Sequence, residues 1–310
     1  MTVPPDGPPD ATSVLLPGPW NHRSISANGI GLHVAEAGKG PLVLLLHGFP
    51  QFWWTWRTQL TALAAAGFHV VAPDLRGYGA SDKPPRGYDG YTLSADVAAL
   101  IRSLGERDAA VVGHDWGGHL AWTTAAFHPR MVRRLAVLGM PHPLRLRAAL
   151  RTDPAQMKAS RYIAAFQAPR YEHRVTRDNA AFVGELLRRW SGPSWPHTED
   201  FAEYERACRL AMRIPQASFC AMEYYRWSVR SLTRPSGWKF NKLLEAPIDV
   251  PVLHLHGALD ACLMPSTAAG SGRYVRGPYE YRLLPGVGHF PQSEAAETVT
   301  GELLRWLKES

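Results

Sequence analysis

The chain has 310 residues, of which 45% are hydrophobic and 20% charged, and its formal net charge is +7. This composition is typical of a soluble globular protein with enough chain for one large domain or two. No apolar run approaches the roughly 20 residues that cross a bilayer, so we expect no membrane insertion.

The positive charge is concentrated in residues 141–240, which contain 17 Lys and Arg residues and only 9 Asp and Glu residues. This segment contains no recognisable nucleic-acid motif, so a solvated helical surface explains its charge best, and we expect no nucleic-acid partner. Steering of anionic substrates, or attraction to lipid surfaces, is the weaker alternative.

Residues 1–20 are rich in proline and poor in large side chains, which predicts a flexible tail. The segment lacks the basic start and the apolar stretch of a secretory signal. The three cysteines, Cys208, Cys220 and Cys262, are odd in number and have no framework spacing. They favour a reducing, cytoplasmic location, with all three as small buried hydrophobic residues.

From residue 21 to 140, short apolar runs alternate with helical stretches, which predicts a mostly parallel sheet covered by helices on both faces. Residues 24–37 alternate around Asn28-Gly29, a pair that favours a hairpin turn. The next predicted strands are residues 41–47, 69–73, 109–112 and 135–138. The predicted helices between them are residues 51–65, 93–104 and 118–127.

Residues 141–240 contain no β-type apolar run, only helical stretches such as 155–167, 179–190 and 216–231. The alternation then resumes with predicted strands at 251–256 and 279–284 and an amphipathic helix at 295–307. These patterns predict one α/β core, formed by residues 21–140 and 241–310. An inserted helical cap at residues 141–240 interrupts it.

The apolar run at 109–112 leads directly into Gly113-His-Asp115-Trp-Gly117. This is the pattern of a nucleophile on a tight turn between a strand and a helix, with Asp where serine hydrolases carry Ser. The residues two before and two after such a nucleophile must be small, because its backbone is strained. The segment therefore predicts Asp115 as a catalytic nucleophile.

An aspartate nucleophile narrows the chemistry. A serine that opened an epoxide or displaced a halide would be left as an ether, which water does not readily cleave. A carboxylate forms an ester instead, and an ester hydrolyses at its carbonyl carbon. Asp115 therefore indicates substitution at an sp³ carbon followed by ester hydrolysis, which is covalent catalysis in two steps.

The second step needs a base, an orienting acid and an oxyanion hole. Asp260 and His289 follow the two last predicted strands, in the chain order nucleophile, acid, histidine. We expect Asp260 to orient His289, which deprotonates the hydrolytic water. Backbone N–H groups of Phe49 and Trp116 are the predicted donors to the ester oxyanion.

At these positions the sequence resembles the epoxide hydrolase branch of the α/β-hydrolase superfamily, from about residue 24 to 307. The resemblance is carried by His47-Gly-Phe-Pro50, Pro73-Asp-Leu-Arg-Gly-Tyr-Gly-Ala-Ser81, Gly113-His-Asp-Trp-Gly-Gly118 and Gly286-Val-Gly-His289. It implies the α/β-hydrolase fold, with an inserted helical cap.

The resemblance also implies two cap tyrosines that hydrogen-bond the epoxide oxygen. One lies four residues before a Phe-Gln pair, which selects Tyr162. The other lies in a Tyr-Arg pair on a later cap helix, which selects Tyr225, with Tyr224 as the alternative. The family carries Gly after the Pro that follows the Phe-Gln pair, whereas this chain has Arg170.

The expected substrate is a small lipophilic epoxide, bound in an aromatic cavity to which Phe49 and Trp116 contribute. Trp53 is a further candidate for the cavity wall, with packing of the first helix as its alternative role. The expected protein is a monomer or a homodimer.

Haloalkane dehalogenases share the Asp nucleophile and the Trp after it, but they commonly carry Asn where this chain has Phe49. Fluoroacetate dehalogenases place Arg where this chain has Trp116. A non-catalytic descendant of the fold is a further alternative, although it would be expected to lose one of the three triad residues. Epoxide hydrolysis is the interpretation that the sequence favours.

No metal or cofactor is expected. His254 and His256 share a strand face, but no carboxylate or Cys with ligand spacing accompanies them. The segment Gly77-Tyr-Gly79 lacks the third glycine and the strand–helix context of a dinucleotide site.

Overall fold

In the computed structural model, which describes residues 7–308, eight strands form one sheet in the order β1-β2-β4-β3-β5-β6-β7-β8. The strands are β1 (Asn21–Ala27), β2 (Ile30–Ala37), β3 (Leu42–Leu46), β4 (His69–Pro73), β5 (Ala109–His114), β6 (Val132–Leu138), β7 (Val252–Gly257) and β8 (Tyr279–Leu284). β2 pairs antiparallel with β1 and with β4, and the other pairs are parallel. The predicted mostly parallel sheet is confirmed.

The helices of the core are α1 (Arg57–Ala65), α2 (Gly90–Ser103) and α3 (Trp116–Phe127) before the insertion, and α11 (Pro265–Ala269), α12 (Pro291–Glu294) and α13 (Ala296–Lys308) after it. Those of the inserted segment are α4 (Pro143–Thr152), α5 (Pro154–Ala159), α6 (Arg161–Ala165), α7 (Tyr171–Trp190), α8 (Glu199–Arg213), α9 (Ala217–Arg230) and α10 (Pro235–Leu243). Residues 139–247, all of which the structure describes, contain no strand. The predicted interruption of the core by a helical cap is confirmed, whereas its limits at residues 141 and 240 stay a prediction.

The central strands are apolar along their whole length because helices cover both faces of the sheet. Every residue of β3 and β5 is buried. The hairpin between β1 and β2 turns at Asn28 and Gly29, whose φ angles are 49° and 78°. Both values lie in the left-handed region that such a two-residue turn requires.

The predicted flexible tail over residues 1–20 stays a prediction, but its second half makes specific contacts with the core. A short 3₁₀-helix spans Ala11–Val14, and Val14 is buried. The indole Nε1 of Trp53 donates to the carbonyl oxygen of Val14 at 2.9 Å, and the rings of Trp20 and Trp53 lie edge to face. Two apolar anchors therefore hold a segment whose composition is otherwise that of a loose chain. Residues 1–6 lie outside the described residues.

The cap helices were predicted less accurately than the core. The predicted helix at 155–167 is divided into α5 and α6, and the predicted helix at 179–190 belongs to the longer α7. Within α7 the backbone leaves the helical region at residues 177–180, where three successive residues have φ between 52° and 57°. Among the helices within residues 7–308, none has the length and apolar character needed to cross a membrane.

Candidate active site

Asp115 stands between β5 and α3 with φ 50° and ψ −119°, a strained conformation for a residue with a side chain. A Cβ atom at Gly113 would lie 2.2 Å from the carbonyl oxygen of Gly117. A Cβ atom at Gly117 would lie 2.1 Å from the carbonyl oxygen of Leu46. Both distances are far below van der Waals contact, so the turn that presents Asp115 requires glycine on both sides, as the sequence predicts.

The Asp115 carboxylate is held against the end of β3. Its Oδ1 accepts a hydrogen bond of 2.8 Å from the backbone N–H of Phe49. A Cβ atom at Gly48 would lie 2.5 Å from the same oxygen, so Gly48 is required for this approach. The N–H of Trp116 belongs to the first turn of α3, where amides have no acceptor within the helix. Of the two predicted oxyanion donors, the Phe49 N–H therefore contacts the carboxylate, and the Trp116 N–H belongs to the residue that follows Asp115.

His289 lies between two carboxylates. Its Nδ1 is 2.8 Å from Oδ2 of Asp260, and its Nε2 is 3.6 Å from Oδ2 of Asp115. Oδ1 of Asp260 accepts hydrogen bonds of 2.8 Å from the backbone N–H groups of Cys262 and Leu263. Asp260 thus orients the imidazole so that Nε2 faces Asp115. The three residues predicted from chain order meet at the carboxyl ends of β5, β7 and β8.

The charges of these groups stabilise one another. Burial alone would raise the pKa of Asp115 and Asp260, but their contacts with His289 outweigh it and lower both pKa values. Burial likewise opposes a charge on His289, yet the two carboxylates raise its pKa to about 10. The free site therefore holds two carboxylates and one imidazolium at neutral pH.

A cavity of about 170 Å³ opens from Asp115 beneath the cap. Tyr162 of α6 and Tyr225 of α9 both line it, and their ring centroids lie 5.9 Å apart. Burial raises the pKa of both hydroxyls well above the usual tyrosine value. Both hydroxyls therefore stay protonated at neutral pH, and that of Tyr162 lies 3.2 Å from Sγ of Cys262.

Tyr224 and Tyr225 point in different directions. The Tyr224 hydroxyl donates to the backbone carbonyl oxygen of Arg76 at 2.8 Å, and its ring packs on Tyr78 and Trp116. Tyr225 lines the cavity with Asp115, and Tyr224 does not. Of the two candidates from the sequence, Tyr225 is the one that shares the cavity with Asp115.

The aromatic wall differs in part from the prediction. Trp116 lines the cavity, but the buried ring of Phe49 packs against Phe166 and Tyr225 behind the wall. Trp53 is fully buried among the rings at the N-terminal hairpin, which confirms its alternative role in packing. The backbone of Phe49 approaches Asp115 while its ring contacts the cap, and a contribution of that ring to substrate binding stays a prediction.

Residues 41–296 match the family described as alpha/beta hydrolase fold. Over 295 residues the chain is 34% identical to Epoxide hydrolase 3 of Xenopus tropicalis. This match covers 91% of this chain and 76% of that relative. It is 31% identical over 317 residues to Epoxide hydrolase A of Mycobacterium tuberculosis. This match covers 92% of this chain and 96% of that relative. The chain belongs to the epoxide hydrolase family.

A solved structure carries the same likeness. The crystal structure of an epoxide hydrolase from Bacillus megaterium in complex with an inhibitor superposes with a TM-score of 0.80 at 29% identity. The match covers 93% of this chain and 100% of that one. The fold class and the family resemblance inferred from the sequence motifs are both confirmed.

Within this member of the family, sequence reasoning missed a second imidazole beside the triad. His256 of β7 is fully buried, and its Nε2 lies 2.8 Å from the carbonyl oxygen of Leu263 and 3.4 Å from Oδ2 of Asp260. Because a carbonyl oxygen only accepts, Nε2 carries the proton. His256 therefore ties the loop that bears Asp260 back to its own strand. The sequence signal that could have indicated this contact is the position of His256 at a strand end, four residues before Asp260.

The contacts between the His289 loop and the cap were also missed. The backbone N–H of His289 donates to the carbonyl oxygen of Trp190 at 2.8 Å, and the Trp190 ring lies edge to face with the imidazole. Glu294 accepts hydrogen bonds from the backbone N–H groups of Gly192, Gly288 and Phe290. The contacts of His289 with Trp190 and of Glu294 with Gly192 join residues about 100 positions apart, so no local pattern contains them.

No metal centre accompanies the triad: in the described part of the chain, no cluster of three or more His, Cys, Asp or Glu residues could hold an ion. Instead, His254 and His256 face each other edge on at 5.9 Å, and Nδ1 of His254 pairs with the hydroxyl of Tyr279 at 3.0 Å. All three cysteines are free and buried, as the sequence predicts.

Proposed function

We propose that this chain hydrolyses a small lipophilic epoxide to a vicinal diol through a covalent ester on Asp115. The observation that carries the proposal is the composition of one cavity. A carboxylate with a lowered pKa lies in it with two tyrosine hydroxyls that stay protonated, and His289 stands behind the carboxylate.

In the first step, Oδ2 of Asp115 attacks a ring carbon of the epoxide, the C–O bond breaks, and the oxygen leaves as an alkoxide. The hydroxyls of Tyr162 and Tyr225 hydrogen-bond that oxygen, and one of them supplies its proton. A weakly acidic donor suits this step, because an alkoxide is basic enough to take a proton from tyrosine. The carboxylate becomes one half of an ester, and its negative charge is lost.

In the second step, water attacks the ester carbonyl. Loss of the Asp115 charge removes one of the two carboxylates that raise the pKa of His289, so the imidazolium releases its proton more readily at this stage, and that proton restores the tyrosine that protonated the alkoxide. Neutral His289, oriented by Asp260, then takes a proton from the attacking water. The N–H groups of Phe49 and Trp116 hold the tetrahedral oxyanion, and its collapse releases the diol and restores Asp115.

Haloalkane dehalogenation is the alternative function, because it uses the same type of aspartate nucleophile. The cavity favours epoxides because its tyrosine hydroxyls are suited to protonating an alkoxide, whereas a departing halide needs no proton. The relatives from Xenopus tropicalis and Mycobacterium tuberculosis also carry the name epoxide hydrolase.

The test is a single turnover of styrene oxide in ¹⁸O-labelled water, with enzyme in excess. The ester mechanism requires unlabelled diol and label retained on Asp115, because water attacks the carbonyl carbon of the ester. Labelled diol would mean direct attack by water and would refute the role of Asp115. Asp115→Asn is the matched control: it keeps the shape of the side chain and should form neither adduct nor diol.

A further inference from the structure

The cavity beneath the cap carries one unpaired positive charge. Arg147 of α4 lines it and is half-buried. Among the residues that the structure describes, no carboxylate lies within ion-pair distance of its guanidinium group. Among the described residues that line the cavity, Asp115 and Arg147 are the only acidic and basic ones apart from histidine, so the cavity contains a negative group and a permanent positive group.

The other polar groups of the lining are neutral or already occupied. Ser228 donates to the carbonyl oxygen of Tyr225, Ser231 to that of Ser228, and Asn241 to that of Gly237. His119 also lines the cavity, but burial lowers its pKa to about 4, so it carries no charge at neutral pH. Arg147 is therefore the group of the lining best able to bind a charged end of a ligand.

Much of the remaining lining is apolar. Met140, Leu146, Leu150 and Ile163 contribute to it. A ligand that fills the cavity therefore meets a nucleophile, an apolar wall and a guanidinium group. A guanidinium group prefers planar oxyanions, and it binds a carboxylate through two parallel hydrogen bonds.

We propose that Arg147 forms an anion subsite, and that the preferred substrates are epoxides with a carboxylate separated from the ring by an apolar segment. This inference rests on the proposed function and narrows its substrate class. The excess of positive charge in residues 141–240 acts in the same direction, because it draws anions toward the cap.

The test compares two substrates that differ only in charge: ω-epoxyalkanoates and their primary amides, in a series from hexanoate to undecanoate. For the best chain length, kcat/KM of the wild-type enzyme should favour the acid over the amide by about tenfold, mainly through KM. Arg147→Gln should bring that ratio close to one, and Arg147→Lys should keep part of it. Because both substrates are measured with one enzyme preparation, partial misfolding cancels from the ratio.

Arg151→Gln is the matched control. Arg151 lies on the same helix and carries the same charge, but it is exposed and does not line the cavity. Its replacement should leave most of the preference in place. Equal losses in both variants would assign the preference to the general field of the cap and overturn the subsite.

The two proposals fail in different ways. Turnover of styrene oxide and of the amides, without preference for the acids at any chain length, would overturn the subsite and leave epoxide hydrolysis standing. Absence of turnover with styrene oxide, acids and amides alike would count against the proposed function itself.

Discussion

Asp115, Asp260 and His289 are held at strand ends of the core, whereas Tyr162 and Tyr225 are carried by helices of the cap. In the core half of the site, each charged group has a partner at hydrogen-bond distance, including backbone N–H groups of neighbouring loops. In the cap half, both tyrosine rings pack against other rings, such as that of Phe166, and the Tyr162 hydroxyl lies 3.2 Å from Sγ of Cys262.

The core and the cap therefore have different tasks in the site. A parallel sheet brings the carboxyl ends of several strands to one edge, so it can fix charged groups at short distances. Helices supply neutral donors above that edge, and ring packing leaves their positions adjustable. We therefore expect changes in the core half to stop individual chemical steps, and changes in the cap half to alter rates, substrate range or stability more gradually.

The largest effect is expected from His289→Gln, which removes the base and keeps a polar side chain. Attack by Asp115 should still occur, but hydrolysis of the ester should slow on the order of 10³-fold. Mass spectrometry of the enzyme after mixing with styrene oxide should detect a stable adduct on Asp115. Normal turnover in this variant would contradict the division of labour between Asp115 and His289.

The adjacent cap tyrosines provide a matched pair for the next effect. Tyr225→Phe should lower the rate of ester formation by roughly 10- to 100-fold, because one of the two donors to the alkoxide is lost. Tyr224→Phe should instead cost about 1 kcal/mol of unfolding free energy, through its bond to Arg76, and change the rate little. Stopped-flow tryptophan fluorescence measures the rate of ester formation, and urea denaturation measures the free energy of unfolding. A slower rate in Tyr224→Phe and lower stability in Tyr225→Phe would instead assign the donor role to Tyr224.

The stability of the protein should depend on pH through the core half of the site. His289 has a folded-state pKa of about 10, above the value near 6.5 expected in the unfolded chain. Its contribution to stability is therefore complete below pH 6.5 and is lost as the pH rises through 10, at no more than about 1.4 kcal/mol per pH unit.

Urea denaturation of the wild type and of His289→Gln between pH 6 and 10 measures this contribution as the difference in slope. Tyr225→Phe is the control from the cap half, because its hydroxyl stays protonated over the same range and should leave the slope unchanged. Parallel slopes for the wild type and His289→Gln would show that the carboxylates do not hold a charged imidazole.

The smallest effect is expected at Arg170, where the family carries glycine. Arg170 has φ 60° and ψ 23°, a left-handed conformation at the start of α7 that costs energy for any residue with a side chain. Arg170→Gly should raise the free energy of unfolding by about 0.5–1 kcal/mol. Arg174→Gly, within the helical part of α7, should lower it by about 1 kcal/mol. Urea denaturation compares the two variants, and destabilisation by both would mean that the Arg170 side chain outweighs its strain.

The sequence by itself determined the alternation of strands and helices in the core, the inserted helical segment and the three residues proposed as the triad. These features depend on local patterns: an apolar strand, glycines around a strained nucleophile, and the chain order of three strand ends. The strain at Asp115 and the close approaches at Gly113 and Gly117 explain why the pattern around the nucleophile is so restrictive.

Only the tertiary structure showed that Tyr225 lines the cavity and Tyr224 does not, that Trp53 packs at the hairpin, and that His256 lies beside Asp260. It also anchored the proline-rich segment through Val14. Consecutive residues of a helix point about 100° apart, so the side chain that enters the cavity depends on how the cap docks on the core. That docking is set by contacts between distant parts of the chain, such as His289 with Trp190, and no local pattern contains them.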